Sequence, residues 1–115
     1  MLLLCIDDEP LGLRVRKMLL EHDGYEVVTA PGGEEGLELF RAHRFDAVVL
    51  DYSMPGMTGA EVAAEMKRLR PEVKILLLSA YLDLPEDALQ WVDRRCVKGI
   101  SPAAFLEDLR QLLSC

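Results

Sequence analysis

The 115-residue sequence holds only three cysteines, Cys5, Cys96 and Cys115, widely separated and with no C-x-x-C pair. Their odd number and spacing exclude a disulfide framework and indicate reduced, structural thiols. There is no run of Lys or Arg, and the formal net charge is −7, so a nucleic-acid or anionic-membrane surface is disfavoured. No apolar run approaches the length of a membrane span. The opening Met1-Leu2-Leu3-Leu4-Cys5 superficially suggests a lipoprotein signal. It lacks a basic start, its apolar run is too short, and Asp7-Asp8-Glu9 follows at once. A cytoplasmic location is the expectation. Internal repeats, low-complexity tracts and linkers are missing too, so the chain reads as one unit. What is present is a hydrophobic half of the composition, enough to fill one core. The acidic excess also leaves room for a cation site, because clustered carboxylates need a counter-charge.

The pattern predicts strands alternating with helices. Leu2–Ile6 is a short apolar run of the kind buried on both sheet faces. Pro10 suits the first turn of a helix, with acids before it that complement the dipole. Leu11, Val15, Met18 and Leu19 then recur at helical spacing as its expected apolar face, and Gly24 marks its end. Tyr25–Thr29 reads as a second strand, and Pro31-Gly32-Gly33 as a turn. Gly36, Leu37 and Phe40 line a second helix running to about His43, and Ala47–Leu50 is the third strand. Thr58 with Glu61 forms a capping box for a third helix faced by Val62, Met66 and Leu69. Val73–Leu78 is a fourth strand. Glu86–Val92 is a weaker helical pattern with Leu89 and Trp91 as packing candidates, and Cys96-Val97 is a very short fifth strand. Ser101-Pro102 opens a last helix faced by Phe105, Leu109, Leu112 and Leu113. This alternation implies an α/β fold: a single doubly wound, five-stranded parallel sheet covered on both faces.

Ligands of such sheets bind in the crevice outside the carboxyl ends of the strands. The first strand delivers Asp7 and Asp8 there, the third Asp51, the fourth Ser79 and the fifth Lys98. Three carboxylates in one place repel, and a bound hard cation such as Mg²⁺ is the usual remedy. Lys98 and Ser79 complete a plausible phosphoryl site, in which Asp51 is the in-line nucleophile. Singly, each residue also has an ordinary reading: Asp51 as a cap, Ser79 as a turn residue, Lys98 as a solvated charge, and Asp7-Asp8 as a helix N-cap pair. Their joint placement is the argument.

The segments Cys5-Ile6-Asp7-Asp8-Glu9-Pro10, Leu50-Asp51-Tyr52-Ser53-Met54-Pro55-Gly56-Met57-Thr58-Gly59, Leu78-Ser79-Ala80-Tyr81 and Val97-Lys98 carry a resemblance. The chain resembles the receiver domain of two-component response regulators, the CheY-like family, over essentially its whole length. The resemblance implies strand order 2-1-3-4-5 and a receiver domain over residues 1–115 without an output domain. It implies Asp51 as phospho-acceptor, Asp8 as direct Mg²⁺ ligand and Asp7 as a second acid, with the Ser53 backbone carbonyl as the remaining protein ligand. Mn²⁺ is an alternative to Mg²⁺. Ser79 becomes the hydroxyl that moves towards the phosphoryl group and Lys98 the phosphate-contacting lysine. The donor would be a phosphohistidine on a sensor histidine kinase or phosphotransfer protein. The readout would be a changed surface on the fourth helix, fifth strand and fifth helix, presented to an unidentified downstream protein. A monomer or weak dimer, bound to neither nucleic acid nor membrane, is expected. Family members hydrolyse their own phosphoryl group, so the name enzyme is a matter of definition.

Three departures fall together. Arg95 stands where the family usually has an aromatic switch residue, and a guanidinium buries poorly. Gly99 follows Lys98 in place of a proline that forms a cis bond, so that turn is expected to be trans or more mobile. Only 19 positions separate Ser79 from Lys98, which requires a shortened fourth helix or shortened loops. An alternative is therefore a pseudo-receiver, an interaction module in which Arg95 places a resident cation at the acidic site. A small Asp-nucleophile phosphohydrolase is a remoter alternative: its Asp-x-Asp motif is missing and no cap domain fits. A flavin binder is excluded because the acids would repel its phosphate.

Overall fold

A computed structural model describes residues 1–80 and 84–114. Five strands alternate with five helices: β1 Leu2–Ile6, α1 Pro10–His22, β2 Glu26–Ala30, α2 Gly33–Ala42, β3 Ala47–Asp51, α3 Gly59–Leu69, β4 Lys74–Ser79, α4 Glu86–Leu89, β5 Arg94–Val97 and α5 Pro102–Leu113. All neighbouring strands pair in parallel, in the order β2-β1-β3-β4-β5. The expected sheet, with its order, is the one observed. Two expected strands shift by a single residue, and β5 extends back to Arg94.

The strands need no alternation of polar and apolar residues because both faces are covered. Leu4, Ile6, Val48, Leu50, Ile75 and Leu77 point into one cluster with Leu37, Phe40, Val62 and Met66 of α2 and α3. Leu3, Cys5, Ala47, Val49, Leu76 and Leu78 point into the other, with Leu13 and Leu20 of α1 and Phe105, Leu109 and Leu112 of α5. β3 lies between β1 and β4 and is buried at every residue, including Asp51. Cys5 and Cys96 are free and buried, and burial pushes each thiol up to about 12, as structural thiols require. Cys115 lies outside the described residues, as does Tyr81 of the motif.

α1, α3, α4 and α5 begin where the sequence places them, while α2 starts at Gly33, the last residue of the expected turn. Thr58 and Glu61 form the capping box: the Thr58 hydroxyl accepts from the Glu61 N–H at 3.2 Å, and the Glu61 carboxylate accepts from the Thr58 N–H at 3.0 Å. The Ser101 hydroxyl caps α5 through the Ala104 N–H.

Two packing expectations are corrected. In α1, Leu11, Val15 and Met18 are 71%, 57% and 63% exposed, and Leu19 is only partly buried. The helix instead turns Leu13 and Leu20 into the core, with Arg16 between them at 16% exposure. The other correction is Trp91, which is exposed, while Ala88 is the buried residue of α4. The short spacing before Lys98 is absorbed as expected, since α4 has four residues where α1 has thirteen.

The two ends of the chain meet the same edge of the sheet, opposite the strand carboxyl ends. The Met1 carbonyl accepts from the Glu26 N–H that begins β2, at 3.0 Å. The Leu113 carbonyl accepts from the ammonium of Lys74, which begins β4.

Candidate functional site

Parallel pairing brings the carboxyl ends of β1, β3, β4 and β5 to one edge, which carries the predicted residues. Asp51 ends β3 and is 2% exposed; Asp7 follows β1 and is equally buried, while Asp8 beside it is exposed. Carboxylate oxygens of Asp7, Asp8 and Asp51 all lie within 4.8 Å of one another. Lys98 follows β5 and sets its ammonium 2.8 Å from Asp51 Oδ1 and 3.9 Å from Asp7 Oδ2.

The backbone holds these ends in register. The Tyr52 N–H bonds the Leu78 carbonyl at 2.9 Å, and the Lys98 N–H bonds the Ser79 carbonyl at 2.7 Å. Ser79 is buried at the end of β4, opposite Val97. It thus lies one strand from both Asp51 and Lys98. Ser53 is exposed, two residues past the acceptor position.

Gly59 explains why the motif closes on glycine. A Cβ there would sit 2.5 Å from the Asp51 carbonyl oxygen and 2.8 Å from Tyr52 Cα. Its N–H bonds the Tyr52 carbonyl at 2.8 Å, so the first turn of α3 is packed directly on the backbone that presents Asp51. Gly99 has a different reason. Its φ of +92° is a backbone state that residues with a side chain rarely adopt. Among the described residues no peptide bond is cis, and the turn after Lys98 is made with this glycine.

Electrostatics separates the two buried acids. Burial and the neighbouring negative charge of Asp7 raise the Asp51 carboxyl above the ordinary range, beyond what Lys98 offsets. Burial would raise Asp7 as well. The Glu9 N–H, at 3.0 Å from Oδ1, together with Arg16 and Lys98, outweighs burial and holds Asp7 below the ordinary range. Lys98 would be lowered by its own burial, yet Asp51 and Asp7 push it up, so it is a firmly charged ammonium.

The remaining atoms fit a divalent cation. Asp51 Oδ2 is buried and has no hydrogen-bond partner among the described residues, although Oδ1 is taken by Lys98. A buried, orphaned carboxylate oxygen among two further carboxylates is the environment a hard oxygen-seeking ion relieves.

Sequence reasoning placed the possible resident cation at Arg95 and missed Arg16. Arg95 is exposed on β5, and among the described contacts a guanidinium pairs with the acidic site from α1, that of Arg16, whose Nη1 lies 3.1 Å from Asp7 Oδ2. The signal was present: Leu13, Arg16 and Leu20 also share helical spacing, and a charge on an inward face needs a partner.

Comparison with known proteins agrees with the geometry. The sequence model described as "Response regulator receiver domain" matches residues 3–113. The transcriptional regulatory protein GlrR of Escherichia coli K12 is 34% identical over 84 residues, which is 73% of this chain and 19% of that protein. The response regulator TrrA of Thermotoga maritima, solved in complex with Mg²⁺-BeF, is 37% identical with a TM-score of 0.91, covering 96% of this chain and 97% of that one. The structure of the histidine kinase ThkA in complex with TrrA aligns at 35% identity and a TM-score of 0.89, covering 97% of each chain. The chain spans from about a fifth to about half the length of the curated relatives it matches, from 19% to 47%.

Proposed function

The chain belongs to the response regulator receiver domain family of two-component systems, and from that we propose that Asp51 is its phospho-acceptor, served by a divalent cation and by Lys98 and Ser79. The observation that carries the reading is the asymmetry of Asp51. One of its oxygens is held by Lys98, while the other is buried and unpartnered beside Asp7 and Asp8.

Phosphoryl transfer asks a protein chiefly for positioning and charge neutralisation. Asp51 is fixed at a strand end by the packing of Gly59 and by its neighbours' ladder bonds, so its carboxylate meets a donor in one orientation. Lys98 supplies a fixed positive charge on the Oδ1 side. Ser79, buried at the end of β4, would donate its hydroxyl to an added phosphoryl oxygen. Asp7, Asp8, Asp51 and the Ser53 carbonyl would hold Mg²⁺ or Mn²⁺. The ion, when bound, neutralises charge on the transferring group. A solved Mg²⁺-BeF complex of the relative TrrA supports this assignment.

The donor is a phosphohistidine on a sensor histidine kinase or a phosphotransfer protein; the ThkA–TrrA complex supports a kinase as partner. The added charge of about −2 shifts the balance of conformers at the β4 and β5 ends. Its readout is the surface of α4, β5 and α5, presented to a downstream protein. No described helix is long and apolar enough to cross a membrane. We place the domain in the cytoplasm, where the kinase's phosphohistidine is formed.

Mg²⁺ with beryllofluoride or acetyl phosphate tests the reading. Binding or modification by the wild type, abolished in Asp51→Asn, is the expected result. Equal behaviour of both proteins would falsify the acceptor assignment and leave the pseudo-receiver reading.

A further inference from the structure

We infer that Arg16 is a built-in counter-ion of the acidic site that competes with the divalent cation for Asp7 and so sets the metal affinity. The inference rests on the reading of Asp7, Asp8 and Asp51 as the cation site, and deepens it.

Four observations converge on Arg16. It occupies the inward face of α1 between Leu13 and Leu20, and its side chain is 16% exposed. A charge held there has given up most of its hydration and must be compensated locally. Its guanidinium lies 3.1 Å from Asp7 Oδ2, and Asp7 is itself 2% exposed. Gly12, one helical turn earlier, lies against the pair: a Cβ there would be in ordinary van der Waals contact, at 3.9 Å, with both Arg16 Nη2 and Asp7 Oδ2.

The consequence is a matter of charge. Three carboxylates with Lys98 alone would leave the cluster at a net −2. Arg16 brings it to −1, close to the metal rather than across the surface. The same oxygen, Asp7 Oδ2, faces Arg16 at 3.1 Å and Lys98 at 3.9 Å, so one carboxylate already balances two cations. A divalent ion entering beside Asp8 and Asp51 meets this pre-existing positive charge, and by linkage its binding loosens the Arg16–Asp7 pair. Asp7 does not depend on Arg16 for its orientation, because the Glu9 N–H holds Oδ1 at 3.0 Å. Removing the guanidinium therefore frees an oxygen without releasing the side chain.

Titration of the metal-free protein with Mn²⁺, reading free ion by electron paramagnetic resonance, tests this without any phosphorylation assay. Arg16→Met is expected to bind Mn²⁺ tighter by on the order of tenfold, the scale of one opposite charge removed from a carboxylate within a few ångströms. Arg16→Lys, which keeps the charge, is expected to stay near the wild type. Arg16→Gln gives the same reading as Met if the Met variant does not fold. An affinity unchanged or weakened by both neutral variants, with Asp8→Asn losing the ion, overturns the role of Arg16 and leaves the cation site standing. Equal affinity in all proteins, Asp8→Asn included, overturns the cation site itself.

Discussion

At the scale of single residues, the site works by holding two neighbouring carboxylates in opposite conditions. Asp7 is kept ionised by an N–H and two cations, whereas Asp51 sits above its ordinary range because burial and Asp7 disfavour its charge. The folded protein therefore keeps the Asp51 proton to higher pH than the unfolded chain, whose carboxyl titrates near 3.8. Stability from this group is greatest in acid and is lost as pH rises through the folded pKa. Asp51→Asn deletes that loss. Without metal, the stability advantage of the variant over the wild type is expected to grow as pH rises above the unfolded value near 3.8. Thermal unfolding in chelator at several pH values measures it, and a difference that shrinks with pH contradicts the assignment. The residue types at these positions were legible in the sequence, because strand ends in a parallel sheet converge. The role of Arg16 was not, since it depends on which way α1 rotates about its axis.

At the scale of elements, that rotation is the main thing the sequence left ambiguous. Leu11, Val15, Met18 and Leu19 make as regular a helical stripe as Leu13, Arg16 and Leu20, and periodicity alone favours the more apolar one. The tight junction of β1 with α1 chose the other. Asp7 must point into the crevice, and Glu9 turns the chain so that Leu13 and Leu20 meet Leu3 and Cys5. Leu20→Ala is expected to cost about 2–5 kcal/mol, whereas Met18→Lys on the exposed stripe should stay within about 0.5 kcal/mol. Chemical denaturation of the two variants decides it; comparable losses would restore the stripe as the buried face. The capping box at Thr58 and the Ser101 cap were legible because they are local, needing only residues three positions apart. Trp91 was misread because size suggested burial, while so short a helix as α4 buries only Ala88.

At the scale of the molecule, a single parallel five-stranded sheet followed from five alternating apolar runs, which admit few arrangements, while its order came from the family resemblance. What the runs could not convey is how the fold concentrates repulsion at one edge. Its carboxylates share a space under 5 Å across and one oxygen is left unpartnered. Binding of a divalent ion there should therefore stabilise the whole fold. Mg²⁺ at about one hundred times its dissociation constant should raise the unfolding free energy by about 2.7 kcal/mol. Melts across a Mg²⁺ titration, reversed by chelator, provide the measurement; a flat response in the wild type would deny a specific site.

Met1 and Leu113 both anchor to the starts of strands, Glu26 and Lys74, at the edge away from Asp51. Anything joined to either terminus leaves from the side of the molecule remote from the acidic crevice. A label, a surface tether or a second folded unit can thus be attached at both ends at once without shading the approach of a large donor protein.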